Sequence, residues 1–135
     1  SMSYLKHFVT GPPFVLDIHV NFVDVRDVSI AHVNALDAGE NRGRYIVHKK
    51  GMWMKEMGLK LTSLRGKKYP SRKLIKPLAY LVAILHPKLS IKRIKESLGT
   101  HVDYDVKDTF SVLDLPDYDV DVTLTDAIKS IEAQD

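Results

Sequence analysis

The sequence predicts one α/β domain over residues 1–135 that is mostly helical and has two or three short strands. Two kinds of observation support this prediction, and the first is length and composition. A chain of 135 residues with 44% hydrophobic and 27% charged side chains can build one core, and its composition is that of ordinary globular chains. Periodicity supports it next, because apolar residues recur at helical spacing in several segments, and the strand-like segments are short and rich in Val and Phe.

The N-terminal elements are a helix, a strand and a second helix. Residues 3–10 have a short apolar helical face, which Gly11 and two prolines end. Residues 19–25 are typical of a buried or half-buried strand. Asp27 is placed to cap a helix that runs to about Leu36.

The segment after this helix supplies another strand. A polar loop over residues 37–42 precedes Tyr-Ile-Val at residues 45–47, which is apolar enough for a short strand. Strand, helix, loop and strand in this order predict a parallel crossover unit.

The remainder of the chain predicts helices. Apolar residues at helical spacing over residues 52–64 indicate one that Gly66 ends. Pro77 can begin the next, and residues 78–85 behind it are the most apolar stretch of the chain, so we expect a buried helix there. Three further helices are predicted: residues 91–98 capped by Ser90, a short one from Asp108 to Leu113, and a final one opened by Thr123 with Leu124, Ile128 and Ile131 facing inward.

Charge is distributed unevenly along the chain. Residues 42–96 contain 16 Lys and Arg but two acidic residues, whereas residues 97–135 contain ten acidic residues but two Lys. A basic region of this kind can meet nucleic acid, yet the acidic tail offers it an intramolecular partner. Nucleic acid is therefore not the expected partner.

The compartment is predicted from what the sequence lacks. There is no cysteine, which excludes disulfides and thiolate metal sites and is compatible with a reducing compartment. The first ten residues do not resemble a secretory signal, and the most apolar stretch is far shorter than the roughly 20 residues that span a bilayer. We therefore expect a cytoplasmic protein with no membrane partner.

Four short motifs follow one another between residues 22 and 47. They are Phe-Val-Asp-Val-Arg-Asp-Val at 22–28, Ala-His-Val at 31–33, Ala-Leu at 35–36 and Gly-Arg-Tyr-Ile-Val at 43–47. This ordered set resembles the extended short-chain dehydrogenase/reductase family, and within that epimerase/dehydratase superfamily the dihydroflavonol-reductase-like branch. The resemblance continues to the final helix and covers nearly the whole chain.

The resemblance implies the C-terminal, substrate-side portion of a Rossmann-type reductase without its dinucleotide-binding half. The full-length enzyme would use NAD or NADP to reduce an aldehyde, ketone or flavonoid-like carbonyl substrate. By the same resemblance, the amide of Asn21 lines the substrate pocket, and Leu16 lines its apolar side. The partner of this portion would be the missing N-terminal nucleotide-binding domain, so the chain alone is expected to be inactive.

Two features depart from the family pattern. The glycine-rich dinucleotide loop is absent, because Gly39, Gly43 and Gly51 are too far apart and do not join a strand to a helix. The family uses a Tyr and a Lys four residues apart on one helix; Tyr69 and Lys73 have this spacing, but Pro70 disfavours a helix there. We expect neither cofactor binding nor a catalytic pair in this chain.

No metal site is expected either. Asp117, Asp119 and Asp121 imitate the start of a calcium loop, but Val122 and Ile128 stand where that loop needs Gly and a carboxylate. The six histidines lack the close pairing that places two imidazoles on one metal.

Two alternatives to the reductase interpretation stay open. One is a stand-alone basic module that binds nucleic acid or another polyanion, and the other is a segment of a nucleotide-sugar epimerase or dehydratase. The reductase interpretation also predicts a homo-oligomer, because the strand at residues 45–47 would lack its sheet neighbours in the isolated chain.

Overall fold

The computed structural model describes residues 2–40, 43–85 and 95–133. In chain order its elements are α1 (Met2–Thr10), β1 (Phe14–Val15), β2 (His19–Phe22), α2 (Val25–Asn34), β3 (Lys50–Trp53), α3 (Met54–Arg65), β4 (Arg72–Lys73), α4 (Lys76–Leu85), α5 (Lys107–Val112) and α6 (Val120–Glu132). The predicted class, α/β with more helix than strand, is confirmed.

The strands form two small sheets. β2 and β3 are antiparallel, with His19 opposite Trp53 and Asn21 opposite Gly51. β1 and β4 are parallel and two residues long. The sheets are held in place mainly by the helices around them, since two-stranded sheets have little stability of their own.

The predicted parallel crossover unit is wrong. Residues 45–47 belong to no strand, and the next strand in the chain is β3, which runs antiparallel to β2. The reason is packing: Tyr45 and Val47 contact a small core cluster, while β3 takes the pairing edge of β2. A strand pattern of three residues could not distinguish these two outcomes.

The N-cap of α2 is Asp24 and not Asp27. Its carboxylate accepts a hydrogen bond of 2.8 Å from the backbone N–H of Arg26. β2 ends three residues earlier than predicted, so the helix also begins earlier. Asp27 lies in the first turn, fully buried.

The main core lies where α1, α3 and α6 meet the two small sheets. α1 packs against α6, and α3 packs against α6 and β3. Its buried residues are Phe8, Val15, Met52, Met54, Met57, Leu61, Tyr69, Leu124 and Ile128. The predicted inward face of the final helix is thereby confirmed, and the methionines near Trp53 belong to the core and not to a pocket wall.

A second, smaller core joins α2 to the segment that follows α5. Ala31, Leu113 and Leu115 are its buried members, and Tyr45 and Val47 pack against it. The side-chain amide of Asn34 donates to the carbonyl of Leu113 over 2.7 Å, which fixes α2 against this segment.

The helix expected to be most deeply buried is largely exposed. Leu78, Leu81 and Ile84 of α4 are 42%, 50% and 66% exposed, and Ala79 is buried among the residues of this helix whose exposure the structure describes. The prediction of a buried helix is therefore wrong. High hydrophobicity without a polar face predicted burial, but hydrophobicity does not supply a surface to pack against, and these three large side chains remain exposed.

The remaining predictions differ in outcome. Gly66 ends α3 in the left-handed conformation at φ 64°, as predicted. Val102 and Tyr104, which are apolar enough to predict a short strand, lie instead in an extended segment outside any strand. Residues 95–97 are helical, whereas Ser90 and residues 91–94 of the helix predicted there lie outside the described residues. No helix in the described ranges is long and apolar enough to cross a membrane.

Candidate binding site

A shallow cleft of about 360 Å³ opens beside β2. One wall is the end of β2, the opposite wall is the extended segment after residue 45, and the end is closed by an aromatic ring. The lining residues are Asn21, Phe22, Val23, Ile46, Val47, His48 and Tyr104. Most of this surface is apolar, so the Asn21 amide and the His48 imidazole are the groups that can orient a ligand.

Asn21 lies on the same face of β2 as His19, because alternate residues of a strand point to one side. Both side chains cross over Gly51 of β3. A Cβ atom at Gly51 would lie 2.1 Å from Cε1 of His19 and 2.3 Å from Oδ1 of Asn21. Glycine at this position leaves the space that the two polar side chains occupy.

An extended segment, residues 101–104, covers these two side chains; we call it the strap. The Asn21 Nδ2 donates to the carbonyl oxygen of Val102 over 3.0 Å. The ring of His101 lies 5.4 Å from that of His19, and the ring of Tyr104 lies 5.3 Å from that of His48, in edge-to-face arrangements. The strap is thus held by one hydrogen bond and by ring contacts.

Two buried polar atoms beneath the strap lack partners. They are His19 Nδ1 and Asn21 Oδ1, and no described residue makes a hydrogen bond to either atom. A buried polar atom without a partner is destabilising, and the few that persist in native proteins often mark functional sites. If the strap moves, an acceptor oxygen and an imidazole nitrogen become available side by side to a ligand that bears both a donor and an acceptor.

His48 is in its neutral form at physiological pH. Burial lowers the pKa of its imidazole, the charge of His19 lowers it further when that ring is protonated, and Asp103 opposes both effects. A neutral imidazole offers one donor and one acceptor to the cleft.

The sequence predicted Asn21 as a pocket residue, and the structure places it in the cleft wall. Leu16 is not brought to the same place, since it packs against the main core. Sequence reasoning missed His19, His48 and Tyr104. His19 had a usable signal, because it lies two residues before Asn21 in the same predicted strand; His48 and Tyr104 reach the cleft only through the fold.

Tyr69 and Lys73 do not form a catalytic pair. Tyr69 is buried in the main core, where burial raises the pKa of its phenol, the opposite of what proton transfer from a Tyr–Lys pair requires. Lys73 lies in β4 and forms an ion pair with Asp17. These positions agree with the interpretation that the four-residue spacing of Tyr69 and Lys73 is coincidental.

A second cleft of about 380 Å³ lies on the other side of Trp53. The ion pair between Lys73 and Asp17 crosses it, and Glu56 accepts from the backbone N–H of Trp53, so three of its charged side chains are already engaged. Among the residues that the structure describes, no group of three or more His, Asp or Glu side chains is arranged to hold a metal ion.

The basic middle of the chain is partly neutralised by the acidic tail, as predicted. Lys49 pairs with Asp117, and Lys60 pairs with Asp121. Arg65 donates to Glu132 over 2.6 Å. These pairs hold α3 and the segment after residue 48 against α6 and the segment before it.

Comparison with known proteins identifies a fold likeness and no family. No protein-family model matches the chain, and no curated protein does. Among solved structures, the chain is similar to the crystal structure of gox2253, with a TM-score of 0.70 and 19% sequence identity. The likeness covers 98% of this chain and 43% of that one. The chain therefore has the fold of less than half of a longer protein of known structure.

Proposed function

We propose that this chain is the substrate-side portion of an NAD(P)-dependent reductase of the extended short-chain dehydrogenase type. In this proposal the cleft beside β2 receives a carbonyl substrate. The observation that carries it is the position of Asn21: an amide at the wall of an otherwise apolar cleft, directly before the Phe-Val sequence of the resemblance.

Two further observations support the proposal. The likeness to a chain of more than twice the matched length is what a portion of a larger enzyme would give. In addition, Ile46 is 48% exposed, and residues 45–47 join no strand in the described part of the chain. An apolar extended segment of this kind suits a sheet whose other strands come from elsewhere.

The chain itself does not fit a dinucleotide. Gly51 lies in β3 beneath His19 and Asn21, and Gly39 follows α2, so neither opens a helix where a pyrophosphate could rest. The role of this chain in the reaction is therefore to bind the acceptor. Asn21 would orient a polar group of the substrate, and the apolar wall would exclude water from it.

The test is a binding experiment with the isolated chain. An aromatic ketone, such as a hydroxylated flavanone, should bind and quench the Trp53 fluorescence, because Trp53 contacts His19 at 5.2 Å between ring centroids. Asn21→Leu should weaken binding, whereas Thr10→Leu, an exposed change at the end of α1, should not. Equal affinities of the two variants would refute the assignment of the cleft.

A cofactor titration tests separately whether the dinucleotide binds to this chain or to another part of the proposed enzyme. NADPH fluorescence should not saturate with this chain, because no glycine-rich loop is present. Reading the coding sequence upstream of Ser1 should reveal that loop and a Tyr-x-x-x-Lys motif. Saturable NADPH binding by this chain, or an upstream sequence without both motifs, would contradict the proposal.

Self-association of the isolated chain is part of the same proposal. The contact would involve Ile46, the exposed Val25 and Val33 of α2, and Leu36, which follows the end of that helix. Analytical ultracentrifugation over a hundredfold concentration range should show an oligomer that Leu36→Asp weakens. A monomer at every concentration would remove this part of the proposal and leave the cleft assignment unaffected.

A further inference from the structure

The apolar face of α4 is unusual for a helix in a small domain. Ile84, Leu81 and Leu78 fall within one arc of about 120° when successive residues are placed 100° apart, and Pro77 lies within that arc. Each of the three large side chains is between 42% and 66% exposed. Ile75, directly before the helix, is 67% exposed and extends the same surface. Contiguous exposed apolar side chains of this kind mark an interaction surface.

The charge around this surface is of one sign. Residues 57–95 contain eleven Lys and Arg and no Asp or Glu. Some of these cations are committed elsewhere: Lys60 and Arg65 pair with α6, and Lys73 pairs with Asp17. Arg72 and Lys76, which lie at the start of the apolar surface, are exposed and make no ion pair with any described residue.

We propose that α4 lies on an anionic lipid bilayer, with Leu78, Leu81 and Ile84 inserted among the acyl chains and Arg72 and Lys76 at the headgroups. A helix that lies in the interface needs an apolar face and flanking cations and not the length of a membrane-spanning helix. This is compatible with the ten-residue length of α4, about 15 Å. The sequence excluded a spanning segment, and that exclusion does not extend to a helix lying flat.

Charge decides between a bilayer and a second copy of the chain. In a twofold dimer through this face, the cations Arg72 and Lys76 of both copies would flank one interface, to which residues 57–95 bring no acidic counter-charge. An apolar protein partner would leave the two cations without counter-charges. Anionic headgroups match both the apolar stripe and the charge beside it.

The experiment is cosedimentation of the chain with vesicles. Phosphatidylcholine vesicles with roughly 30% phosphatidylglycerol should bind the chain at least about tenfold more tightly than phosphatidylcholine alone. Binding should fall at about 0.5 M salt, because salt screens the cations from the headgroups. The double variant R72E/K76E should lose the preference for the anionic lipid.

The apolar contribution is tested with matched variants. Leu81→Glu should reduce binding at least about tenfold, whereas Leu59→Glu, which changes a 52% exposed leucine of α3, should leave it unchanged. Circular dichroism and the thermal midpoint confirm that both variants are folded, which is expected for exposed positions.

Three outcomes would overturn the proposal. They are the absence of binding to anionic vesicles, equal losses for the two leucine variants, and salt-sensitive binding that Leu81→Glu leaves intact, since the last means simple adhesion of a basic protein. Self-association that Leu81→Glu abolishes, without vesicle binding, would assign the face to a second copy. The proposal does not depend on the reductase assignment.

Discussion

Two polar clusters flank β2, and they differ in how their buried groups are satisfied. At the start of α2, the carboxylate of Asp24 accepts from Arg26 and from the hydroxyl of Thr123, and Asp27 accepts from two backbone N–H groups. Beneath the strap, His19 Nδ1 and Asn21 Oδ1 have no partner. Two residues, Phe22 and Val23, separate the clusters along the chain.

The first cluster connects parts of the fold that are distant in sequence. Asp27 connects α2 to the backbone of Asp117 and Tyr118, about ninety residues later, at 3.1 and 3.2 Å. The guanidinium of Arg26 stacks 4.2 Å from the ring centre of Tyr118 while it also bonds Asp24. These contacts tie the start of α2 to the segment before α6 and, through Thr123, to α6 itself, so the cluster stabilises the fold.

The second cluster makes one hydrogen bond, from Asn21 to the carbonyl of Val102, and leaves two buried polar atoms without a described partner. Burial alone therefore does not decide the role of a polar group, which depends on whether its hydrogen bonds are satisfied. We accordingly expect substitutions to lower the free energy of unfolding strongly at Asp27 and weakly at the cleft.

The largest expected effect is at Asp27. Asp27→Ala leaves the N–H groups of Asp117 and Tyr118 without their acceptor, so we expect a loss of about 2–4 kcal/mol in the free energy of unfolding. Urea denaturation followed by circular dichroism measures it. Asp27→Asn keeps one acceptor oxygen and should cost less. A loss below about 0.5 kcal/mol for Asp27→Ala would show that these hydrogen bonds do not stabilise the fold.

The next effect is at Asp24 and depends on pH. Its hydrogen bond and ion pair with Arg26 hold the pKa of the carboxyl well below the usual value of 3.8. Asp24 therefore stabilises the fold fully above pH 3.8, and this contribution is lost as the pH falls towards the folded-state pKa. Asp24→Asn should cost about 1–3 kcal/mol at pH 7, since a cap and a charged hydrogen bond are weakened, and less as the pH falls below 3.8.

Denaturation curves at several pH values test this dependence. The exposed Asp37→Asn is the control and should be neutral throughout. A loss for Asp24→Asn that stays constant from pH 7 to pH 3 would mean that packing and not charge gives Asp24 its importance.

A near-zero effect on stability is expected at Asn21. Asn21→Leu removes the bond to Val102 but also removes a buried acceptor without a partner, so the two changes offset to within about 1 kcal/mol. The same denaturation assay measures it beside the Asp27 variants. If Asn21→Leu lowered the free energy of unfolding as much as Asp27→Ala, both clusters would stabilise the fold and the contrast between them would be wrong.

The smallest effect is a pH dependence at His48. Because burial lowers the folded-state pKa below the usual 6.5, the unfolded chain binds more protons between these two values. The stability associated with neutral His48 is therefore present above pH 6.5 and is lost as the pH falls below it. His48→Gln should flatten the stability profile between pH 5 and pH 7 relative to the control His32→Gln, and an unchanged profile would contradict it.

Sequence patterns predicted local features well where one face of an element is buried. The inward residues of α6 and the end of α3 at Gly66 followed from spacing and from backbone conformation. The cap of α2 was misplaced because Asp24 and Asp27 both satisfy the cap pattern, and the choice depends on where β2 ends. Residues 45–47 show the same limit, since three apolar residues do not specify a pairing partner.

The candidate site was predictable only in part for a related reason. Asn21 could be selected by resemblance, and His19 follows from it by strand alternation. His48 and Tyr104 meet across more than fifty residues of intervening chain, and no local pattern encodes such a contact. Exposure of α4 was equally hidden, because hydrophobicity alone cannot tell whether the surface that would cover a helix belongs to the same chain.

The packing of α1 against α6 has a consequence for synthesis on the ribosome. The main core takes Phe8 from the first helix and Ile128 from the last, so its two ends are separated by almost the whole chain. Leu124 and Ile128 emerge from the ribosome about sixty residues after Leu61, and until then Phe8 and Leu61 lack the surface that buries them. Folding of this core must therefore wait until α6 has been synthesised, and until then the nascent chain exposes these apolar residues to chaperones.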